Sequence, residues 1–200
     1  MLIIAINGSP HTEGNTAMLL RESLKVIGEQ GATTKLFQAS RALATLKQPF
    51  CMHCSNPCSG SCYKGTLLEE MFSDLRRADG VLLGSPVYFG TISAQLKAFW
   101  DKTRILRKEK ALLNVVGGAL VNGATRFGGQ ESALRAIHEI MLTQGMIVAG
   151  SGYHSDDAGY QGACAQKPVS DDGDGLYRAR VLGKRVLEVA SATREIRLRN

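Results

Sequence analysis

The first two dozen residues constrain this chain more than any other stretch. Residues 2–6, Leu-Ile-Ile-Ala-Ile, form a short apolar run. Asn7-Gly-Ser-Pro-His-Thr-Glu-Gly-Asn-Thr follows, small and rich in hydroxyl and amide groups. Ala17, Leu20, Leu24 and Ile27 then recur at helical spacing on one face. A strand that turns through such a loop into an amphipathic helix opens a βαβ unit, and so predicts a parallel sheet with crossover helices. The loop falls at the carboxyl end of the first strand, where open α/β sheets bind ligands. Hydroxyls of Ser9, Thr12 and Thr16 and backbone N–H groups near Asn15 converge there on the positive end of a helix dipole, an arrangement that suits phosphate. Neither a Walker A lysine nor a Gly-x-Gly-x-x-Gly run is present. Hydroxyls and backbone must hold the anion alone, which fits a monophosphate better than a triphosphate with Mg²⁺. An ordinary capped helix would use the same residue types.

The rest of the chain repeats the alternation. Strand candidates lie at 2–6, 33–37, 81–83, 112–121 and 146–149, with helical patterns at 16–29, 67–77, 92–103, 130–144 and 176–192. The strands are continuous apolar runs, as expected of a parallel sheet covered on both faces. Five strands with intervening helices point to a doubly wound α/β fold. The 200 residues, 44% of them hydrophobic and 21% charged, are expected to form one domain over 1–200. No apolar run reaches membrane-spanning length and no signal-peptide pattern opens the chain, so a cytoplasmic protein is expected. The net charge of +6 is concentrated in residues 176–200, where Arg178, Arg180, Lys184, Arg185, Arg194, Arg197 and Arg199 face only Glu188 and Glu195. No nucleic-acid-binding motif accompanies this basic helix, and a solvated face or subunit contact is expected of it. Residues 48–65, with four cysteines, and residues 150–175, rich in Gly and Asp, stand outside the alternation. Both read as long loops, which in compact domains are commonly functional.

Two further strand–loop–helix units carry ligand-type loops. Gly84-Ser-Pro-Val-Tyr-Phe-Gly precedes Gln95-Leu-Lys-Ala-Phe-Trp-Asp, and an aromatic pair, Tyr88 and Phe89, sits where a flat ring could be bordered. Asn122-Gly-Ala-Thr-Arg-Phe-Gly-Gly-Gln-Glu follows the fourth strand, and its glycines allow close backbone approach. Together with Asn7-Gly-Ser-Pro and Gly14-Asn-Thr, these loops resemble those of the flavodoxin-like NAD(P)H-dependent FMN reductases over roughly the first 150 residues. The resemblance implies a flavodoxin-like sheet of order 2-1-3-4-5 and bound FMN. It implies that Ser9, His11, Thr12, Asn15 and Thr16 hold the phosphate. Pro86, Val87, Tyr88 and Phe89 would border the isoalloxazine ring, and Asn122, Gly123, Gly128 and Gly129 would complete its pocket. It further implies NAD(P)H as electron donor and a homodimer or homotetramer. His11 stands where such proteins often carry Arg. Hydride transfer to a flavin needs no acid or base from the protein, so no catalytic side chain is expected.

Cys51, Cys54, Cys58 and Cys62 place four thiols within twelve residues. The spacing approaches ferredoxin-type runs that wrap one cubane, whereas structural zinc usually takes two separated pairs. The segment resembles that of the iron–sulfur flavoproteins, a branch of the same family, with a slightly different spacing. A [4Fe–4S] cluster is expected on these four residues, with zinc, or thiols and disulfides without metal, as the alternatives. An electron acceptor of unknown identity would take electrons from it. Cys164, His53, His138 and His154 have no obvious partners in sequence, and the Asp residues of 150–175 fit no EF-hand spacing.

Overall fold

The computed structural model describes residues 1–197. Residues 198–200, and with them Arg199, lie outside the described residues. The elements run β1 (Leu2–Asn7), α1 (Asn15–Glu29), β2 (Thr33–Gln38), α2 (Ala39–Ala44), α3 (Leu67–Leu75), β3 (Gly80–Pro86), α4 (Ala94–Lys102) and α5 (Arg104–Lys108). They continue with β4 (Val116–Gly123), α6 (Gln130–Leu142), β5 (Ile147–Val148), β6 (Ala163–Gln166) and α7 (Gly173–Ala192). The sheet is parallel with the order β2-β1-β3-β4-β5, as expected. Central strands β3 and β4 are buried along their whole length. That is why they read as unbroken apolar runs rather than alternating ones.

One expectation is corrected here. The sheet has six strands, because β6 also pairs with β4. β5 pairs with Val116 and Gly117, and β6 takes up the same edge from Leu120 to Gly123. The fifth position of the sheet is therefore a single lane interrupted by residues 149–162. Residues 163–166 are a strand and not part of a loop running from 150 to 175.

Two apolar layers flank the sheet. One packs Ile3, Ala5, Leu82 and Leu120 against α1 and α7. The other packs Ile4, Ile6, Leu83 and Val121 against α3, α4 and α6, with the rings of Phe72 and Phe99 edge to face 6.1 Å apart. At the amino edge of the sheet, the buried carboxylate of Asp79 accepts from Leu2 N at 2.8 Å and from Arg197 Nη2 at 3.3 Å. This pair ties β1, β3 and the C-terminal segment together.

The positive charge of α7 is largely spent within the protein. Arg180 pairs with Glu22 at 3.0 Å and Lys184 with Asp156 at 3.0 Å. Arg178 pairs with Asp157 at 3.1 Å and lies over the Tyr160 ring, 4.1 Å from its centroid. Lys184 also stands 5.5 Å from the centre of the Tyr153 ring. The interrupting segment is thus clasped to α7 by ionic and cation–π contacts. No helix among the described residues is long and apolar enough to cross a membrane.

Candidate functional site

Three loops gather at the carboxyl edge of the sheet, after β1, β3 and β4, and each is shaped by a buried polar side chain. The loop after β1 wraps the amide of Asn7. Its Oδ1 accepts from Ser9 N at 3.0 Å and its Nδ2 donates to the carbonyl of His11 at 3.1 Å. Gln38, at the end of β2, donates to the Ser9 carbonyl at 2.6 Å. Ser9 Oγ accepts from His11 N at 3.1 Å, which leaves its own proton available to a ligand. Glu13, the one acid in the loop, is bound by Arg21.

Helix α1 is preceded by Gly14 at its N-cap, so it has no side-chain cap. Its first N–H groups therefore keep their capacity to bind an anion. The side chains of Asn15 and Thr16 also hold neighbouring segments in place. Asn15 Oδ1 accepts from Val169 N at 2.9 Å, and Thr16 Oγ1 donates to Asn122 Oδ1 at 2.6 Å. Their backbone N–H groups lie at the uncapped start of the helix, next in sequence to the hydroxyls of Ser9 and Thr12. His11 is exposed.

The loop after β3 ends in a tight hairpin. Tyr88 and Thr91 exchange backbone hydrogen bonds of 2.9 and 3.1 Å across Phe89 and Gly90. Both central residues have positive φ, 48° and 77°, the type I′ pattern. Gly accepts that conformation freely; Phe does so only at a cost. The strained residue is also fully exposed, at 108% of its reference area. Ser93 fastens this loop to its neighbours: its Oγ donates to the Gly8 carbonyl at 2.6 Å, and its N–H donates to Ser85 Oγ at 2.9 Å.

The loop after β4 folds around the buried amide of Gln130. Its Oε1 accepts from Gly128 N at 2.8 Å and its Nε2 donates to the Thr125 carbonyl at 2.5 Å. Gly129, at φ 92°, brings this loop against the previous one. A Cβ there would stand 3.1 Å from Gly90 Cα and 3.4 Å from a Val87 methyl. Phe127 stands at the rim, 95% exposed. The structure thus brings together Ser9, Thr12, Thr16, Pro86, Val87, Tyr88, Phe89, Asn122, Gly123, Gly128 and Gly129 at one edge. Asn7, Gln38, Ser85, Ser93 and Gln130, which hold the loops in place, were not singled out by sequence. Their signal is weak, since a buried amide or hydroxyl at a strand end looks like any polar residue next to a turn.

On the β6 side of the third loop lies a cavity of about 880 Å³, lined in part by Arg126, Phe127, Tyr160, Cys164 and Lys167. Burial pushes the Cys164 thiol up to about 12, and the charge of Glu131 adds to the effect. It is a protonated thiol at neutral pH and no nucleophile.

The cysteine segment runs between α2 and α3 with a single 3₁₀ turn at Ser61–Tyr63. All four thiols are free, with Cys54 and Cys62 exposed and Cys51 and Cys58 half-buried. Among the described residues no three Cys, His, Asp or Glu side chains are gathered closely enough to hold a metal ion. The segment carries the donors without converging them. Its start is pinned by Lys102 Nζ, which donates to the Gln48 carbonyl at 2.7 Å. Lys102 ends α4, the helix that follows the second loop, so this anchor lies about 13 Å along the helix from that loop.

The model of the NADPH-dependent FMN reductase family matches residues 1–161. An iron-sulfur flavoprotein of Methanocaldococcus jannaschii is 43% identical over 194 residues, covering 94% of this chain and 97% of that protein. An iron-sulfur flavoprotein of Methanosarcina thermophila is 33% identical over 191 residues, covering 94% and 95%. Among solved structures, the flavodoxin-type WrbA-like protein from Agrobacterium tumefaciens superposes with a TM-score of 0.70 at 20% identity, over 96% of this chain and 98% of that one. That likeness shows the flavodoxin-like fold. The family match over most of the chain, with relatives alike from end to end, shows that this protein belongs to the NADPH-dependent FMN reductase family of oxidoreductases.

Proposed function

We propose that this protein binds FMN at the three-loop edge, takes electrons from NAD(P)H, and passes them through a [4Fe–4S] cluster on Cys51, Cys54, Cys58 and Cys62 to an electron acceptor. The observation that carries the flavin assignment is the uncapped start of α1 next to Ser9 and Thr12, at the same sheet edge as the loops that expose Tyr88, Phe89 and Phe127. A phosphate there meets backbone N–H groups, the helix dipole and two hydroxyls, with no acid left unpaired in the loop. A planar ring beyond it is bordered by Pro86, Val87, Tyr88 and Phe89 on one side and by Asn122, Gly123, Gly128 and Gly129 on the other. Bound there, the flavin supplies the two-electron to one-electron chemistry. The residues bind its phosphate, orient its ring and keep the two ring loops in contact through Gly90 and Gly129.

The cluster assignment rests on the donor set. Four free thiols within twelve residues, in a segment with little regular structure, can close around one centre when metal is supplied. The names of the two full-length relatives favour the same reading. Phe89 and Phe127 stand in water in a single copy, and a homodimer or homotetramer would cover them.

Anaerobic purification with assays of flavin, iron, sulfide and zinc tests this. FMN as the flavin, with iron and acid-labile sulfide near four per chain, supports it. FAD, or one zinc and no sulfide, contradicts it.

A further inference from the structure

Lys102 is 4% exposed, yet among the described residues no carboxylate pairs with it. Its one hydrogen-bond partner among the described residues is the carbonyl of Gln48, three residues before Cys51. A lysine buried this deeply is rarely left without a counter-charge, because removing an ammonium from water is costly. The carboxyl end of α4 compensates only a small part of it. Other buried or half-buried cations have an acid beside them: Arg197 faces Asp79, Arg178 faces Asp157, Lys184 faces Asp156 and Arg76 faces Glu109. Lys102 faces the cysteine segment.

We infer that Lys102 is the counter-cation of the cysteine-bound centre, and that it both fixes the entry of the loop and raises the reduction potential of the cluster. The inference rests on the proposed reading of the four cysteines. A cubane with four thiolate ligands carries two negative charges when oxidised and three when reduced. A fixed cation nearby favours the more negative form, so removing it lowers the potential. Gln48 and Cys51 are three residues apart, which bounds their Cα separation at about 10 Å. Taking about 10 Å as the separation between the Lys102 charge and the centre, at an effective dielectric constant of about 20, the charge changes the ratio of reduced to oxidised cluster by roughly tenfold. For a one-electron couple that is about 59 mV.

The test is an EPR-monitored redox titration of the flavin- and cluster-loaded protein as wild type, Lys102→Gln, Lys102→Met and Lys102→Arg. Gln can still donate to the Gln48 carbonyl but carries no charge, whereas Arg keeps the charge. The expected result is a reduced fraction about tenfold lower at fixed potential in Gln and Met, with Arg near wild type. Loss of iron and sulfide from Gln and Met but not from Arg supports the same role. A midpoint unchanged in Gln and Met overturns it, as does loss of the cluster from all three variants. Wild-type protein without iron and sulfide overturns the reading of the cysteines, and this inference with it. Unfolding of the metal-free proteins adds an independent measure. The Met variant should unfold at higher denaturant than wild type, since it relieves an uncompensated buried charge, and unfolding at lower denaturant counts against the inference.

Discussion

Thr16 Oγ1 donates to Asn122 Oδ1 at 2.6 Å, joining the first turn of α1 to the end of β4 across 106 residues of sequence. Both residues are buried, at the point where the first loop and the third loop meet. The Thr16 hydroxyl, expected from the sequence to hold phosphate, also braces two walls of the candidate site. Thr16→Val should leave Asn122 Oδ1 buried without its donor and cost about 1–3 kcal/mol of stability. FMN and riboflavin should weaken together, because the brace and not a phosphate contact is lost. Urea unfolding and flavin titrations of the apoprotein check this, and Thr16→Ser should restore both. A loss confined to FMN would return the hydroxyl to the phosphate.

Phe89 pairs a left-handed backbone with full exposure, so the fold gains nothing from it in one copy. Phe89→Asn, which tolerates that conformation, should stabilise the apoprotein by about 1 kcal/mol while weakening flavin binding. Thermal melts and flavin titrations give the two signs separately. A destabilised apoprotein would mean that the ring packs on something within the chain.

The alternation of strands and helices was legible because the central strands β1, β3 and β4 are buried runs of small and apolar residues and each long helix has one apolar face. β6 was not, since Ala163-Cys-Ala-Gln holds no β-branched or aromatic residue and follows a Gly- and Asp-rich stretch. Its pairing comes from the edge of β4 that β5 leaves unpaired and not from local preference. The three loops were recognisable because Gly, Pro and aromatic residues cluster in them. The contacts that shape them were not. Thr16–Asn122, Asn15–Val169 and Ser93–Gly8 join residues 85 to 154 positions apart. The buried Lys102 looked like one more helical lysine, since nothing local distinguishes a lysine facing water from one buried against a backbone carbonyl 54 residues away.

The clasp between residues 153–160 and α7 is built from charges and rings, so salt should loosen it. Arg178→Met with Lys184→Met should make the segment a fast site for chymotryptic cleavage at Tyr153 or Tyr160. Wild type should approach that rate only at high ionic strength. Equal cleavage rates at all salt concentrations would show that packing holds the segment instead.

Burial holds the His138 imidazole below its ordinary pKa, against a backbone hydrogen bond with Gln161 that acts in the opposite sense. Its Nε2 is buried without a partner. The unfolded chain therefore binds more protons than the native state near and below the ordinary histidine value of about 6.5. The stability this neutral imidazole permits is complete above that value and falls as pH drops through it toward the native pKa. His138→Leu should lose less stability than wild type between about pH 7.5 and about pH 5. Denaturant midpoints at the two pH values measure the difference, and parallel losses would refute it.

Anaerobic titration of the FMN-loaded protein with NADPH, followed by the flavin absorbance, tests the central claim most directly. The account predicts stoichiometric bleaching, with reducing equivalents recoverable by a one-electron acceptor only when the cluster is present. A flavin that dithionite bleaches and NADPH leaves untouched would contradict it.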